Sequence, residues 1–144
     1  MLQKILVPTD GSELSLNAMT GAIELARRLG SRIVGVTVVE PYAYASLSEY
    51  RPETIAQYEQ RADELAHERL AVLQTRADAA GVPFETVVAR SFSPYEAIID
   101  AARRTQCDAI FMASHGRRGL SAVLLGSETQ KVLTHSHLPV MVYR

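Results

Sequence analysis

The chain has 144 residues, 47% of them apolar: enough for one domain that buries roughly 68–70% of its unfolded surface, and too little for two good cores. Fifteen basic against sixteen acidic side chains leave a formal charge of −1, which argues against nucleic acid or an anionic membrane as partner, since both demand a basic surplus. Cys107 has no second cysteine to pair with, and Gln106 and Asp108 beside it offer no cation to stabilise a thiolate, so it reads as structural and a soluble, cytoplasmic protein is expected.

Residues 4–7 read as a strand, stopped by Pro8 and far too short for a signal-peptide core. Nowhere do about 18 apolar residues run together, so no membrane span is expected. Residues 12–29 read as a helix, with Leu16, Met19, Ile23, Ala26 and Leu29 at three- and four-residue spacing and Gly30 at its stop. Residues 32–39 form a second strand, ended by Pro41. A polar stretch, 41–52, carries Tyr42, Tyr44 and Tyr50. The longest helix, 53–80, has the stripe Tyr58, Ala62, Leu65, Ala66, Leu70, Leu73 and Ala77, with His67 on its exposed side and Gly81 and Pro83 closing it. Residues 84–89 are a third strand.

Ser93-Pro94-Tyr95-Glu96 reads as a helix start with a capping box, and that helix runs to Arg104. Residues 108–113 are a fourth strand. A glycine-bearing loop leads to a last helix at 127–136, whose end holds His135 and His137, and then to a fifth strand, 139–143. The order βαβαβαβαβ, with continuous apolar strands, predicts an α/β fold: one doubly wound parallel sheet with helices on both faces, a single domain over 1–144.

Open parallel sheets bind ligands beyond the carboxyl ends of their strands, where the strand order reverses. Two loops there are chemically rich. The first is Pro8-Thr9-Asp10-Gly11-Ser12; the second runs from Ser114-His115-Gly116-Arg117 to Gly126-Ser127. Gly126-Ser127 opens a helix, whose free amides and positive dipole end suit a phosphate. Gly116 and Gly126 lack a Cβ, so backbone can approach a pyrophosphate. Asp10 suits a ribose hydroxyl or a bound Mg²⁺. Structural readings compete at each place. Ser127 with Gln130 has capping-box spacing, and Asp10 before Gly11-Ser12 has the look of a turn or N-cap residue. His115 has no partner at metal-ligand spacing. The three tyrosines of 41–52 either lid a base or simply pack on the surface.

Together these loops resemble the universal stress protein family, over essentially the whole length. The match is carried by Ile5-Leu6-Val7-Pro8-Thr9-Asp10-Gly11-Ser12, by Ala113-Ser114-His115-Gly116 through Leu124-Leu125-Gly126-Ser127, and by Pro139-Val140-Met141-Val142. The nucleotide-binding branch of that family carries glycine, two residues, glycine, nine residues, then glycine and serine or threonine; Gly116, nine residues, Gly126 and Ser127 fit. The resemblance implies strand order 3-2-1-4-5 and an ATP site, with Mg²⁺ as a companion ion. Pro8, Thr9 and Asp10 would then line adenine and ribose, and Val38 would meet the adenine. Met112, Ala113, Ser114, His115, Gly116 and Arg117 would border ribose and phosphates, while Gly126, Ser127 and Glu128 would hold the phosphate chain. It also implies a homodimer through strand 139–143, an apolar edge that would otherwise be exposed.

The chain departs from the pattern at Ala113, where the family has its first glycine. A positive φ there would cost on the order of 1 kcal/mol, an ordinary strand φ little. Glu128 would place a carboxylate beside phosphates, repulsive unless Mg²⁺ or Arg117 intervenes. Three functions follow: a regulatory ATP-binding module, a very weak ATPase, or a dimeric stress-response scaffold with a vestigial pocket. No Walker lysine, paired carboxylates or base–nucleophile set supports strong catalysis. A phosphorylated receiver domain needs an aspartate after the third strand, and Arg90-Ser91-Phe92 offers none.

Overall fold

A computed structural model of the chain describes residues 1–42, 53–117 and 124–144. Its elements are β1 (Lys4–Pro8), α1 (Glu13–Leu29), β2 (Arg32–Val39), α2 (Ile55–Ala79), β3 (Phe84–Arg90), α3 (Pro94–Arg104), β4 (Ala109–Ala113), α4 (Ser127–His135) and β5 (Val140–Tyr143). The sheet has five strands in the order β3-β2-β1-β4-β5, and every pairing is parallel. The switch in strand order therefore falls between β1 and β4, as the resemblance implied.

Alternation along buried strands splits the core in two. Ile5, Val7, Ile33, Phe111 and Ala113 pack with Ala18, Met19 and Ala22 of α1 and with Leu73 and Ala77 of α2. Leu6, Val34, Val36, Ile110 and Met112 pack with Ile98 and Ala102 of α3 and Val132 of α4. Each loop after a strand thus leads to a helix on a defined side: the β1 loop to the α1/α2 face, the β4 loop to the α3/α4 face.

Some local expectations are corrected. Leu65 is 42% exposed, because at about 100° per residue it falls well off the Ala66, Leu70, Leu73 and Ala77 stripe. Leu29, in the final turn of α1, is 52% exposed. Ser93 is the N-cap of α3 but its side chain makes no capping bond, and Glu96 accepts from the Tyr95 hydroxyl at 3.0 Å instead. The capping box is found on α2, where Thr54 and Gln57 bond each other's backbone. Tyr42 packs edge-on against Tyr58 at 5.3 Å; Tyr44 and Tyr50, the other two lid candidates, lie outside the described residues.

Candidate functional site

The loop after β1 is held by its own small polar side chains. The Thr9 N–H donates to the Val36 carbonyl at 2.9 Å, extending the sheet register one residue past Pro8. The Thr9 hydroxyl accepts from the Gly11 N–H at 3.2 Å and lies 3.2 Å from the Ser15 hydroxyl. Gly11 has φ +77°, the left-handed conformation that glycine adopts without strain. Ser12 is the N-cap of α1, accepting from the Ser15 N–H at 3.2 Å. Asp10 is therefore not the helix cap. Its Oδ1 accepts from the Ser12 N–H at 2.9 Å, an Asx-type turn.

The other oxygen of Asp10 faces the second loop. Oδ2 accepts from the Arg117 N–H at 2.8 Å, and Arg117 Nε donates to the Asp10 carbonyl at 2.7 Å. Gly116 is what permits this approach: a Cβ there would stand 2.6 Å from Asp10 Oδ2. Burial works against ionisation of Asp10, but the donors of Ser12, the Arg117 N–H and Ser15 outweigh it, and the carboxyl titrates below its ordinary value. Asp10 stands charged between the two loops.

Behind this contact, β4 closes against α4. Leu2 and Gln106 are the non-glycine residues with positive φ among those described, so Ala113 keeps an ordinary strand backbone. It pairs with Tyr143, and its side chain is 7% exposed within the α1/α2 core. The alanine that departs from the family pattern carries no backbone strain. The Thr129 hydroxyl donates to the Ala113 carbonyl at 3.0 Å and the Gly126 N–H to the Ser114 carbonyl at 2.8 Å, so the start of α4 is pinned to the strand end. A Cβ on Gly126 would lie 3.1 Å from His115 Cα and 3.3 Å from the Ser114 carbonyl oxygen. Ser114 and His115 are buried; His115 Nδ1 lies 3.0 Å from the Ser114 hydroxyl, and its buried Nε2 has no partner among the described residues.

Gly126 is the N-cap of α4 and offers no side-chain bond to the helix. Ser127 is already the first helical residue, and Gln130 donates to the Leu125 carbonyl at 3.2 Å, so the capping box that Ser127 and Gln130 could form is absent. Helix geometry leaves the first N–H groups of α4 without an acceptor of their own. The Glu128 carboxylate is committed elsewhere: it accepts from the Tyr95 N–H at 2.8 Å, in the first turn of α3, and from Lys131 at 3.2 Å.

The fold thus brings Thr9, Asp10, Gly116 and Arg117 into one cluster, with Ser114, His115 and Gly126 packed at the root of the second loop. Pro8 ends β1. Val38 and Met112 belong to the α3/α4 core at the ends of β2 and β4. Two neighbours of this cluster were missed in the sequence. Thr129 lies within the last helix, where no feature of the sequence singles it out. Arg69 of α2 stands one position from buried Leu70, a charged side chain on the border of an apolar stripe, and it reaches Gly11. No group of three or more metal-binding side chains occurs among the described residues, and no described helix is long and apolar enough to cross a membrane.

A doubly wound parallel sheet with its two polar loops joined at the switch point is an open α/β protein, a class in which ligands sit beyond the carboxyl ends of the strands. Residues 1–144 match the family described as Usp, universal stress protein family, and the chain belongs to it. Universal stress protein MJ0531 of Methanocaldococcus jannaschii is 30% identical over 145 residues, covering 100% of this chain and 83% of that one. The solved structure of hypothetical protein MJ0577, from the same organism, matches with TM-score 0.82 at 25% identity, covering 99% of this chain and 95% of that one. A universal stress protein from Archaeoglobus fulgidus, solved in complex with dAMP, matches over 100% of both chains with TM-score 0.73 at 20% identity, a likeness of fold.

Proposed function

We propose that the protein is a regulatory module that binds an adenine nucleotide, ATP by first choice, in the cleft between the β1 and β4 loops. The observation that carries this reading is the pairing of a charged Asp10, held against Gly116-Arg117, with the uncapped amino end of α4 on the other loop. In that arrangement Asp10 accepts from ribose hydroxyls, exchanging its bonds with Ser12 and Arg117 for ligand bonds. Val38 and Met112 supply apolar surface toward the base. The Ser127 and Glu128 amides and the Ser127 hydroxyl take the phosphates beside Gly126, whose own N–H stays on the Ser114 carbonyl and whose missing Cβ leaves room, with the helix dipole favouring their charge. The ordinary φ of Ala113 and the removal of the Glu128 carboxylate to α3 lift two obstacles to this reading. The A. fulgidus relative holds dAMP, an adenine nucleotide.

Mg²⁺ fits as a companion of the phosphates rather than as a resident ion. Asp10 is the carboxylate at the cleft, and both its oxygens already accept N–H bonds. The ion would supply charge neutralisation along the phosphate chain.

The second copy is the other partner in this reading. Pro139 and Tyr143 direct their carbonyls at β4, so in a strand the N–H groups of Val140 and Val142 point to the open edge. That edge is half-buried and apolar, suited to pair with its like in a homodimer.

The test is calorimetric titration of purified protein with Mg-ATP, ADP and AMP. Saturable binding, weakened about tenfold or more by Gly126→Ala with the fold retained, is expected. Absence of saturable binding at millimolar nucleotide ends the reading.

A further inference from the structure

Arg69 has no part in the nucleotide site described above, and its surroundings are unusual. Its Nε is buried with no hydrogen-bond partner. A point where a Cβ on Gly11 would lie is 3.2 Å from Arg69 Nε and 3.0 Å from Arg117 Nη2, so guanidinium groups from two distant segments converge on one stretch of backbone. Neither arginine forms a salt bridge with a carboxylate among the described residues. Arg117 Nε is bound to the Asp10 carbonyl, which leaves its Nη groups unengaged among the described residues. The nearby negative charge is Asp10, whose carboxylate oxygens already accept from two amides.

The energetics are unfavourable as they stand. Burial first, and the charge of Arg117 second, push the Arg69 pKa down, with Asp10 offsetting part of this. An exposed arginine escapes such repulsion by rotating into water. Arg69 is instead lodged between α2 and the β1 loop, its Nε shut away from solvent. Buried donors in folded proteins nearly always find an acceptor, so one left over calls for an explanation. An anion of two charges would satisfy that donor and screen the two guanidiniums from each other. Planar forks of this kind match the oxygens of a phosphoryl group two at a time. The positive φ of Gly11 keeps the intervening position free of a side chain.

We propose that Arg69 and Arg117 form a clamp over Gly11 that binds a phosphoryl dianion. Such a group comes from the end of a nucleotide's phosphate chain or from free phosphate and pyrophosphate. Only the first source rests on the nucleotide reading. Because Arg117 also touches Asp10, the clamp is continuous with the cleft, and a chain of several phosphates reaches it where a monophosphate does not.

The test uses the full chain and two variants, Arg69→Gln and Arg69→Lys, with folding checked by circular dichroism and thermal melting. AMP, ATP and pyrophosphate are titrated into each. A loss of about tenfold in ATP affinity in Arg69→Gln, with AMP unchanged and part of the loss restored in Arg69→Lys, assigns the clamp to the nucleotide's tail. Unchanged nucleotides with a similar loss for pyrophosphate assign it to the free anion. Pyrophosphate binding to the wild type without any nucleotide binding would leave the clamp standing and remove the nucleotide reading. The clamp is overturned if ATP and pyrophosphate both keep their affinity in Arg69→Gln within about twofold, if AMP weakens as much as ATP, or if neither ATP nor pyrophosphate binds the wild type.

Discussion

Gly126 and Gly116 are conformationally ordinary glycines whose value lies in the missing Cβ. Gly126 has φ −60°, a backbone that any residue adopts, so its constraint is steric. In Gly126→Ala the new methyl meets main-chain atoms of Ser114 and His115, which cannot swing aside as a side chain would. We expect roughly 1 kcal/mol of lost stability from the forced shift, and a larger fractional loss of nucleotide affinity. Urea unfolding beside the titration separates the two effects.

Asp10 makes a prediction with a definite sign. Its folded pKa lies below the unfolded value of about 3.9, so its contribution to stability is fully present above that pH and disappears as pH falls through the folded pKa. Asp10→Asn keeps one acceptor and turns the other into a donor facing an N–H. It should cost on the order of 1 kcal/mol at neutral pH. The gap between wild type and variant should hold constant down to about pH 5 and close below about pH 4. Denaturation at a series of pH values measures it; a gap that widens in acid contradicts the assignment.

These residues also mark how far sequence reasoning reached. Asp10, Gly116 and Gly126 were legible because short polar residues and glycines have few reasons to gather after a buried strand. The meaning of Ala113 was not legible, since it turned on a φ angle. Nor was the destination of the Glu128 carboxylate, which depends on where α3 begins in space rather than on any residue near position 128 in the chain. Arg69 was invisible for the same reason: its contact joins α2 to a loop more than fifty positions away.

At the scale of elements, caps decide which helix ends are firm and which are open. Thr54 closes a reciprocal pair with Gln57, so Thr54→Ala should cost about 1 kcal/mol. Ser93 occupies the same formal position on α3 but its side chain makes no capping bond to the helix, and Ser93→Ala should fall within about 0.5 kcal/mol of wild type. The sequence pattern at 93–96 reads as a capping box. It does not form: the Ser91 hydroxyl takes the Ser93 N–H at 3.0 Å, Glu96 holds the Tyr95 hydroxyl, and Glu128 takes the Tyr95 N–H from a neighbouring helix. Glu128→Ala should therefore lower the melting temperature, by the equivalent of about 1 kcal/mol. Because only its backbone is proposed to face phosphate, nucleotide affinity should change less than about twofold. Melting curves and titrations on these three variants check the set.

At the scale of the whole molecule, the element order was read correctly from alternating apolar runs and helical stripes. The continuity of those runs signalled strands buried on both faces, and β4 is buried at every position. The strand order came from the resemblance, not from periodicity, because no local pattern says which side of β1 receives β4. The edges follow from that order. With β5 outermost, Val142→Pro removes an outward N–H while leaving the bonds to β4 intact. If the edge pairs two copies, light scattering should show a dimer for wild type and a monomer for Val142→Pro. A wild-type monomer at all concentrations would remove the dimer.

The central claim concerns backbone groups in a stated place, and backbone amide NMR reports on them directly. On titration with Mg-ATP, the largest shifts should fall on Gly116, Gly126, Ser127 and Glu128, with Asp10 and Gly11 moving along the same binding curve. Saturating nucleotide that leaves those amides unmoved, or that shifts only residues far from the β1 and β4 loops, would contradict it.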